Sequence, residues 1–270
     1  AELNGDAFVT ALATSGGAPL RIEGRGGGDT IQGGLQADLL LGQGGNDSMN
    51  GSGGSDTLVG DTGSDTLDGG SGRDRLIGGS GDDLYTVGQR GDAVVERADE
   101  GADSVASSVS LTLAKHVEDL FLQGSDNLSG TGNGLANVIE GTIGNNTLKG
   151  AAGDDVLGGN AGRDRMFGGD GADTLNGGSG RDVLSGNAGA DTFVYLRLAD
   201  SPASEDGRDR ISDFDAAAGD RIDLRALGLE AVDISLADGI LSADTSGDGQ
   251  ADFQIELPGV GTLPADALLL

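Results

Sequence analysis

From Gly24 to Thr86 the chain reads GRGGGDTIQ GGLQADLLL GQGGNDSMN GSGGSDTLV GDTGSDTLD GGSGRDRLI GGSGDDLYT, seven nonads without an insertion. Position one is glycine in every nonad. Position six is aspartate in every nonad: Asp29, Asp38, Asp47, Asp56, Asp65, Asp74 and Asp83. Position eight carries Ile31, Leu40, Met49, Leu58, Leu67, Leu76 and Tyr85. The frame returns from Gly150 to Val194 as GAAGDDVLG GNAGRDRMF GGDGADTLN GGSGRDVLS GNAGADTFV, with Asp155, Asp164, Asp173, Asp182 and Asp191 at position six. Two nonads ahead of it, GNGLANVIE and GTIGNNTLK, keep the frame but carry Asn137 and Asn146 there. A flexible Gly/Asp linker has no reason to hold two positions in register over so many units.

The unit has a physical reading. Its glycine-rich half supplies backbone conformations that other residues resist, and so predicts a tight turn. Its second half alternates polar and apolar residues, as a strand with one buried face does. Two units make an 18-residue coil with a turn and a strand on each side. Stacked coils give two parallel sheets with the position-eight residues between them. The predicted fold is all-β, a right-handed parallel β-roll (β-helix) of stacked 18-residue coils with a C-terminal β-rich capping domain. Adjacent strands lie about 4.8 Å apart, so aspartates 18 residues apart sit on neighbouring layers of one edge. An ion midway lies about 2.4 Å from each layer, within the calcium–oxygen range. Each coil buries only two large side chains while ordering many glycines, and its carboxylate rows repel one another. Metal binding is therefore expected to supply the missing folding energy.

Composition agrees with this reading. The 270 residues include 53 glycines and 45 acidic against 16 basic side chains, for a formal net charge of −29. Of the acidic residues, 36 are Asp and 9 are Glu, a bias towards the shorter carboxylate. So acidic a chain is a poor ligand for nucleic acid, where cations must neutralise phosphates. Its apolar runs are too short to span a bilayer. Cysteine is absent, which removes disulfides and thiolate metal sites. The single His116 cannot build a polyhistidine zinc site. The chain starts at Ala1 without a basic and apolar leader, so no cleaved secretory signal is visible.

The nonads resemble G-G-x-G-x-D-x-U-x, the calcium-binding repeat of RTX (repeats-in-toxin) proteins. The resemblance implies that the calcium ligands fall on the twelve position-six aspartates, with weaker sites at Asn137 and Asn146. Pairing residues 18 apart gives about eight to ten calcium ions. Gln36 and Leu135 replace the position-four glycine and mark irregular loops. The stretch Leu84–Gly132, including Val117–Gly124 (VEDLFLQG), resembles the spacer between RTX arrays and is read as β-roll with wider coils. The segment ADTFVYLRLADSPASEDGRDRISDFDAAAGDRIDLRALG resembles the C-terminal domain of serralysin-type metalloproteases and the repeat modules of mannuronan C-5-epimerases. Such tails imply type I secretion through an ABC transporter, and Pro264–Leu270 fits an acidic residue followed by a terminal apolar cluster. The implied division is a lead-in at 1–23, a first array at 24–86, a spacer at 87–131, a second array at 132–194 and a tail at 195–270.

Other motifs are weaker. Asp244–Asp252 matches the first half of an EF-hand loop, but Ile255 stands where a bidentate Glu is needed. A polar hairpin turn is the preferred reading. Arginines beside the key aspartates (Arg73, Arg75, Arg163, Arg165, Arg181) could hold an anionic polysaccharide, although solvent-facing charge balance is the simpler account. H-E-x-x-H, G-x-S-x-G and P-loop motifs are absent, and His116 reads as a surface residue. The expectation is a non-catalytic calcium-binding module, part of a larger secreted extracellular protein of a Gram-negative bacterium. The alternatives are a polysaccharide or cell-surface binding module and a stand-alone surface protein.

Overall fold

Each nonad folds as a turn followed by a strand, and successive strands fall alternately on two parallel sheets. The computed structural model describes residues 8–10, 17–229 and 233–270. The lead-in expected at 1–23 lies largely outside the described residues. Contacts divide the chain into two compact units, Ala1–Gln123 and Gly124–Leu270. Among the described residues there is no α-helix. The fold is an all-β parallel β-roll.

In the first unit, one sheet runs through Phe8–Thr10, Thr30–Gln32, Ser48–Asn50, Thr66–Asp68, Leu84–Val87, Ser104–Ser107 and Asp119–Leu122. The other runs through Arg21–Gly26, Leu39–Gly44, Thr57–Thr62, Arg75–Ser80 and Ala93–Val94. Register follows the nonads: Ile31 lies beside Met49, and Leu40 beside Leu58. The position-eight residues Ile31, Leu40, Met49, Leu58, Leu67, Leu76 and Tyr85 are all buried between the sheets. The two faces are unequal. Strands on the first sheet such as Ser48–Asn50 and Thr66–Asp68 end at position nine. Those on the second pair onward into the next turn, so that Gly44 lies beside Thr62.

The spacer stays in the roll but changes step. Tyr85 pairs with Val105, 20 residues on, and Val105 with Leu120, only 15 on. The coils expected to be wider are thus one wider and one narrower. Register survives because the strand residues Val105 and Leu120 are buried like those they follow.

In the second unit, one sheet passes through Val138–Glu140, Val156–Gly158, Thr174–Asn176 and Thr192–Val194, then Arg221–Asp223 and Leu268–Leu269. The other passes through Ser129–Thr131, Thr147–Ala152, Arg165–Asp170, Val183–Ala188, Asp209–Ile211 and Phe253–Glu256. Ile139, Leu148, Leu157, Met166, Leu175, Leu184 and Phe193 fill the interior. Beyond the array the excursions lengthen: Leu184 pairs with Ile211 and Phe193 with Ile222. Aromatic side chains occupy this wider end. Tyr195 meets Phe253 edge to face at 5.2 Å, and Phe193 lies 6.2 Å from Phe214. The second sheet ends antiparallel, with Phe253–Glu256 against Ile240–Ala243 and that strand against Ile234–Ala237.

Candidate metal centre

Two turn positions need glycine for different reasons. At position four the backbone turns left-handed, as at Gly63 (φ 127°), and the turn rests on the one below. At position one the reason is space. A Cβ on Gly60 would lie 2.6 Å from the Gly78 carbonyl oxygen and closer still to Oδ2 of Asp65. A Cβ on Gly51 meets the Gly69 carbonyl oxygen and Oδ2 of Asp56 in the same way. Each such turn therefore brings a carboxylate oxygen and a carbonyl oxygen of the next layer towards one small space.

The position-six side chains form two ladders in each unit. The Asp29 amide donates to Oδ1 of Asp47 at 2.7 Å, Asp47 to Asp65 at 2.7 Å and Asp65 to Asp83 at 2.7 Å. On the opposite edge the donors are Leu20, Asp38 and Asp56, and the acceptors Asp38, Asp56 and Asp74, at 2.7, 2.7 and 2.8 Å. The second unit repeats the pattern from Asn137 to Asp155, Asp173 and Asp191, and from Asn146 to Asp164 and Asp182, at 2.6–2.9 Å. One oxygen of each carboxylate thus braces adjacent layers.

The second oxygen has no such partner. Oδ2 of Asp29, Asp47, Asp56, Asp65, Asp74 and Asp83 is buried without a hydrogen bond, as is that of Asp155, Asp164, Asp173, Asp182 and Asp191. An unpaired buried polar atom is costly, and a row of them marks where something else belongs. Burial accordingly pushes Asp56, Asp83, Asp164 and Asp182 up to about 7, partly opposed by the amide each accepts. Asp47, Asp155 and Asp191 rise to about 6 for the same reason, with neighbouring carboxylates adding to it. Carboxylate and carbonyl oxygens without nitrogen or sulfur donors suit a hard cation such as calcium.

Three predicted residues differ. Oδ2 of Asp38 accepts the Gly34 amide at 2.6 Å, so both its oxygens are engaged. Oδ1 of Asn137 and of Asn146 accepts the amides of Asn133 and Thr142, each at 2.8 Å. Gln36 and Leu135 stand at position four of two of these turns. In all three nonads the side chain closes its own turn instead of leaving an oxygen open.

The comparisons agree with this geometry. The family described as RTX calcium-binding nonapeptide repeat (4 copies) matches residues 23–58, 50–85, 131–166, 158–193 and 167–200. The chain belongs to the RTX repeat family. Among solved structures, the AlgE6R3 subunit from the Azotobacter vinelandii mannuronan C5-epimerase is 33% identical, covering 54% of this chain and 84% of that one, with a TM-score of 0.28. The AlgE6R2 subunit of the same enzyme is 28% identical, covering 55% and 94%, with a TM-score of 0.33. These scores are too low for the superpositions to bear on the fold. No curated protein matches the chain. Calcium is the ion of RTX repeats, and the oxygen-lined turns fit it.

The ladders run on past the nonads, which the repeat alone did not reveal. Asp74 and Asp83 donate to Asp92 and Asp103 at 3.2 and 2.9 Å, and Asp103 donates to Glu118 at 2.7 Å. In the second unit Asp182 and Asp191 donate to Asp209 and Asp220 at 2.7 and 3.1 Å. The available signal was local. Each of Asp92, Asp103, Asp209 and Asp220 directly follows glycine, alanine or arginine and precedes a short strand, as a position-six Asp does. Burial raises Asp209 to about 9, reinforced by Asp182.

The remaining motifs are placed as follows. Asp244–Asp252 is a hairpin turn in which Asp244 and Asp252 accept backbone amides of Gly247, Gly249, Thr245 and Ser246 at 2.7–2.9 Å. His116 is half-buried beside Val117. Arg163, Arg165, Arg181 and Arg210 line one surface depression with Asp164 and Val183. No described helix is long and apolar enough to cross a membrane.

Proposed function

We propose that this RTX β-roll is a non-catalytic module that folds when calcium enters its turns after type I secretion, as part of a larger secreted protein. The observation that carries this reading is the row of buried, unpartnered Oδ2 atoms. Calcium supplies the missing partner for each and cancels charge that otherwise opposes folding. The ligands are the position-six aspartates with an open oxygen, helped by turn carbonyls, and Asp38, Asn137 and Asn146 are the weaker positions. Seven pairs 18 residues apart have an open oxygen on both members and three include a weaker position, so about seven to ten ions are expected. In cytosol, where free calcium is scarce, the chain stays unfolded and can thread an ABC transporter, and extracellular calcium then folds it. The tail at 195–270 closes the second array. Circular dichroism during calcium titration tests this: a coil-to-β transition is expected, and a chain fully folded in excess chelator overturns it.

A second reading rests on the arginines. Arg163, Arg165, Arg181 and Arg210 share one depression on a chain of net charge −29, and of the four only Arg210 has an ion pair among the described residues, with Glu256. Such a cluster suits a polyanion such as an acidic polysaccharide. Calorimetry with alginate oligomers in calcium tests this, and an absence of heat removes it.

A further inference from the structure

At the end of the first array a third carboxylate enters from outside the repeat. Asp83 is the last position-six residue of that array, and its ladder partner Asp103 comes 20 residues later. Glu96 follows the short strand Ala93–Val94 on the other sheet. One carboxylate oxygen from each of Asp83, Glu96 and Asp103 lies within 4.8 Å of the others. The three residues are only 2%, 8% and 1% exposed.

Each carboxylate is anchored through one oxygen and leaves the other open. Oδ1 of Asp83 accepts the Asp65 amide at 2.7 Å, and Oδ1 of Asp103 accepts the Asp83 amide at 2.9 Å. Oε1 of Glu96 accepts the Tyr85 hydroxyl and the Gly78 amide, the latter at 3.2 Å. Oδ2 of Asp83, Oδ2 of Asp103 and Oε2 of Glu96 are buried without any hydrogen-bond partner. No arginine or lysine forms a salt bridge with any of the three among the described residues. Buried carboxylates this close, fixed in place and unpaired, need a cation. Tyr85 is the one position-eight residue of its array with a hydroxyl, and it spends that hydroxyl on aiming Glu96.

We propose that Asp83, Glu96 and Asp103 form a calcium site of their own, outside the 18-residue register, which fastens the spacer to the end of the first array. Three carboxylate oxygens are a hard donor set for this ion. The site shares Asp83 with the ladder and rests on the reading of the repeats for the identity of the ion. Its distinguishing ligand is Glu96, whose extra methylene reaches across from the other sheet.

Calcium bound to the full chain is counted by equilibrium dialysis for wild type, for Glu96→Gln and for Asp56→Asn as a change within the repeats. Gln keeps the acceptor for Tyr85 and Gly78, so E96Q is expected to fold in calcium and to bind one ion fewer. An E96Q count equal to wild type overturns this site alone. A wild type that binds no calcium overturns the reading of the repeats as well. Should E96Q fail to fold, Tyr195→Phe leaves Tyr85 as the only tyrosine in a chain without tryptophan. Terbium is then expected to give tyrosine-excited emission whose midpoint moves at least about tenfold higher in concentration when Glu96→Asp is added. Absence of that emission, or a midpoint that E96D leaves in place, overturns the site.

Discussion

The amide of Asp47 donates to Oδ1 of Asp65, one layer on, at 2.7 Å, while Oδ2 of Asp65 is buried without a partner. A single side chain therefore joins two layers through one oxygen and presents the other to a cation. Substitutions can separate the two roles. Asp65→Asn retains an oxygen for the Asp47 amide but loses the charge. It is expected to raise the calcium midpoint of folding about tenfold, or about 1.4 kcal/mol. Asp65→Ala also loses the brace and is expected to cost a further 1–3 kcal/mol or so. Calcium-titrated circular dichroism of both variants checks the order; equal effects contradict the division of labour.

The pH dependence follows from burial. With Asp56, Asp83, Asp164 and Asp182 held up at about 7, the calcium-free fold binds protons that the unfolded chain has released above its ordinary value of about 4. This contribution to stability is present in full below about pH 4 and is lost as pH rises through 6 to 7. In chelator, strand content is expected to be greater at pH 5 than at pH 8. In calcium the trend reverses, because protons compete for the same oxygens. Spectra at the two pH values, with and without calcium, give the answer; more structure at pH 8 in chelator refutes it.

Gly60→Ala places a Cβ 2.6 Å from the Gly78 carbonyl oxygen and against Asp65. It is expected to cost at least about 2 kcal/mol and to weaken calcium binding, since it fills the space between the donors. Gly88, with nothing within 4 Å and no left-handed φ, is the control. Urea unfolding in saturating calcium should show Gly88→Ala within about 0.5 kcal/mol of wild type.

Leu58 is fully buried between the sheets, whereas Leu35 is 51% exposed in a turn. Leu58→Ala is expected to cost about 2–5 kcal/mol, and Leu35→Ala almost nothing. Thermal unfolding in calcium distinguishes them, and similar melting temperatures count against the two-sheet interior.

Removing Pro264–Leu270 takes away the strand Leu268–Leu269, which pairs with Ile222–Asp223, together with the Arg221–Asp266 ion pair at 3.2 Å. It uncovers part of Ile222 and Leu224, both fully buried. A loss of about 2 kcal/mol or more is expected in calcium, measured by urea unfolding of the truncated chain. No change in midpoint defeats the prediction.

The roll was legible because its two constraints repeat in phase. Glycine at position one and an apolar residue at position eight fix turn and strand together, so Leu40, Leu58 and Leu76 fall in line without knowledge of tertiary structure. Once the step departs from 18 that phase is lost. The 20- and 15-residue steps to Val105 and Leu120, and the 27- and 29-residue steps to Ile211 and Ile222, are set by loop length and packing. The role of Glu96 was equally hidden, since nothing local to VVERADE connects it with Asp83. Sequence spacing also could not show that Asp38 uses both oxygens, a consequence of the altered turn at Gln36.

The direction of the ladders has a consequence for assembly. In every rung the earlier residue gives the hydrogen and the later one receives it, so each unit has polarity, as a filament has unlike ends. Its C-terminal end offers amides that only later residues can satisfy. Asp209 and Asp220 in the tail receive the last amides of the second array, and Asp92 and Asp103 receive those of the first. Lengthening an array by whole 18-residue coils preserves every rung, whereas adding one nonad exchanges the two ladders and leaves those terminal receivers facing the wrong edge.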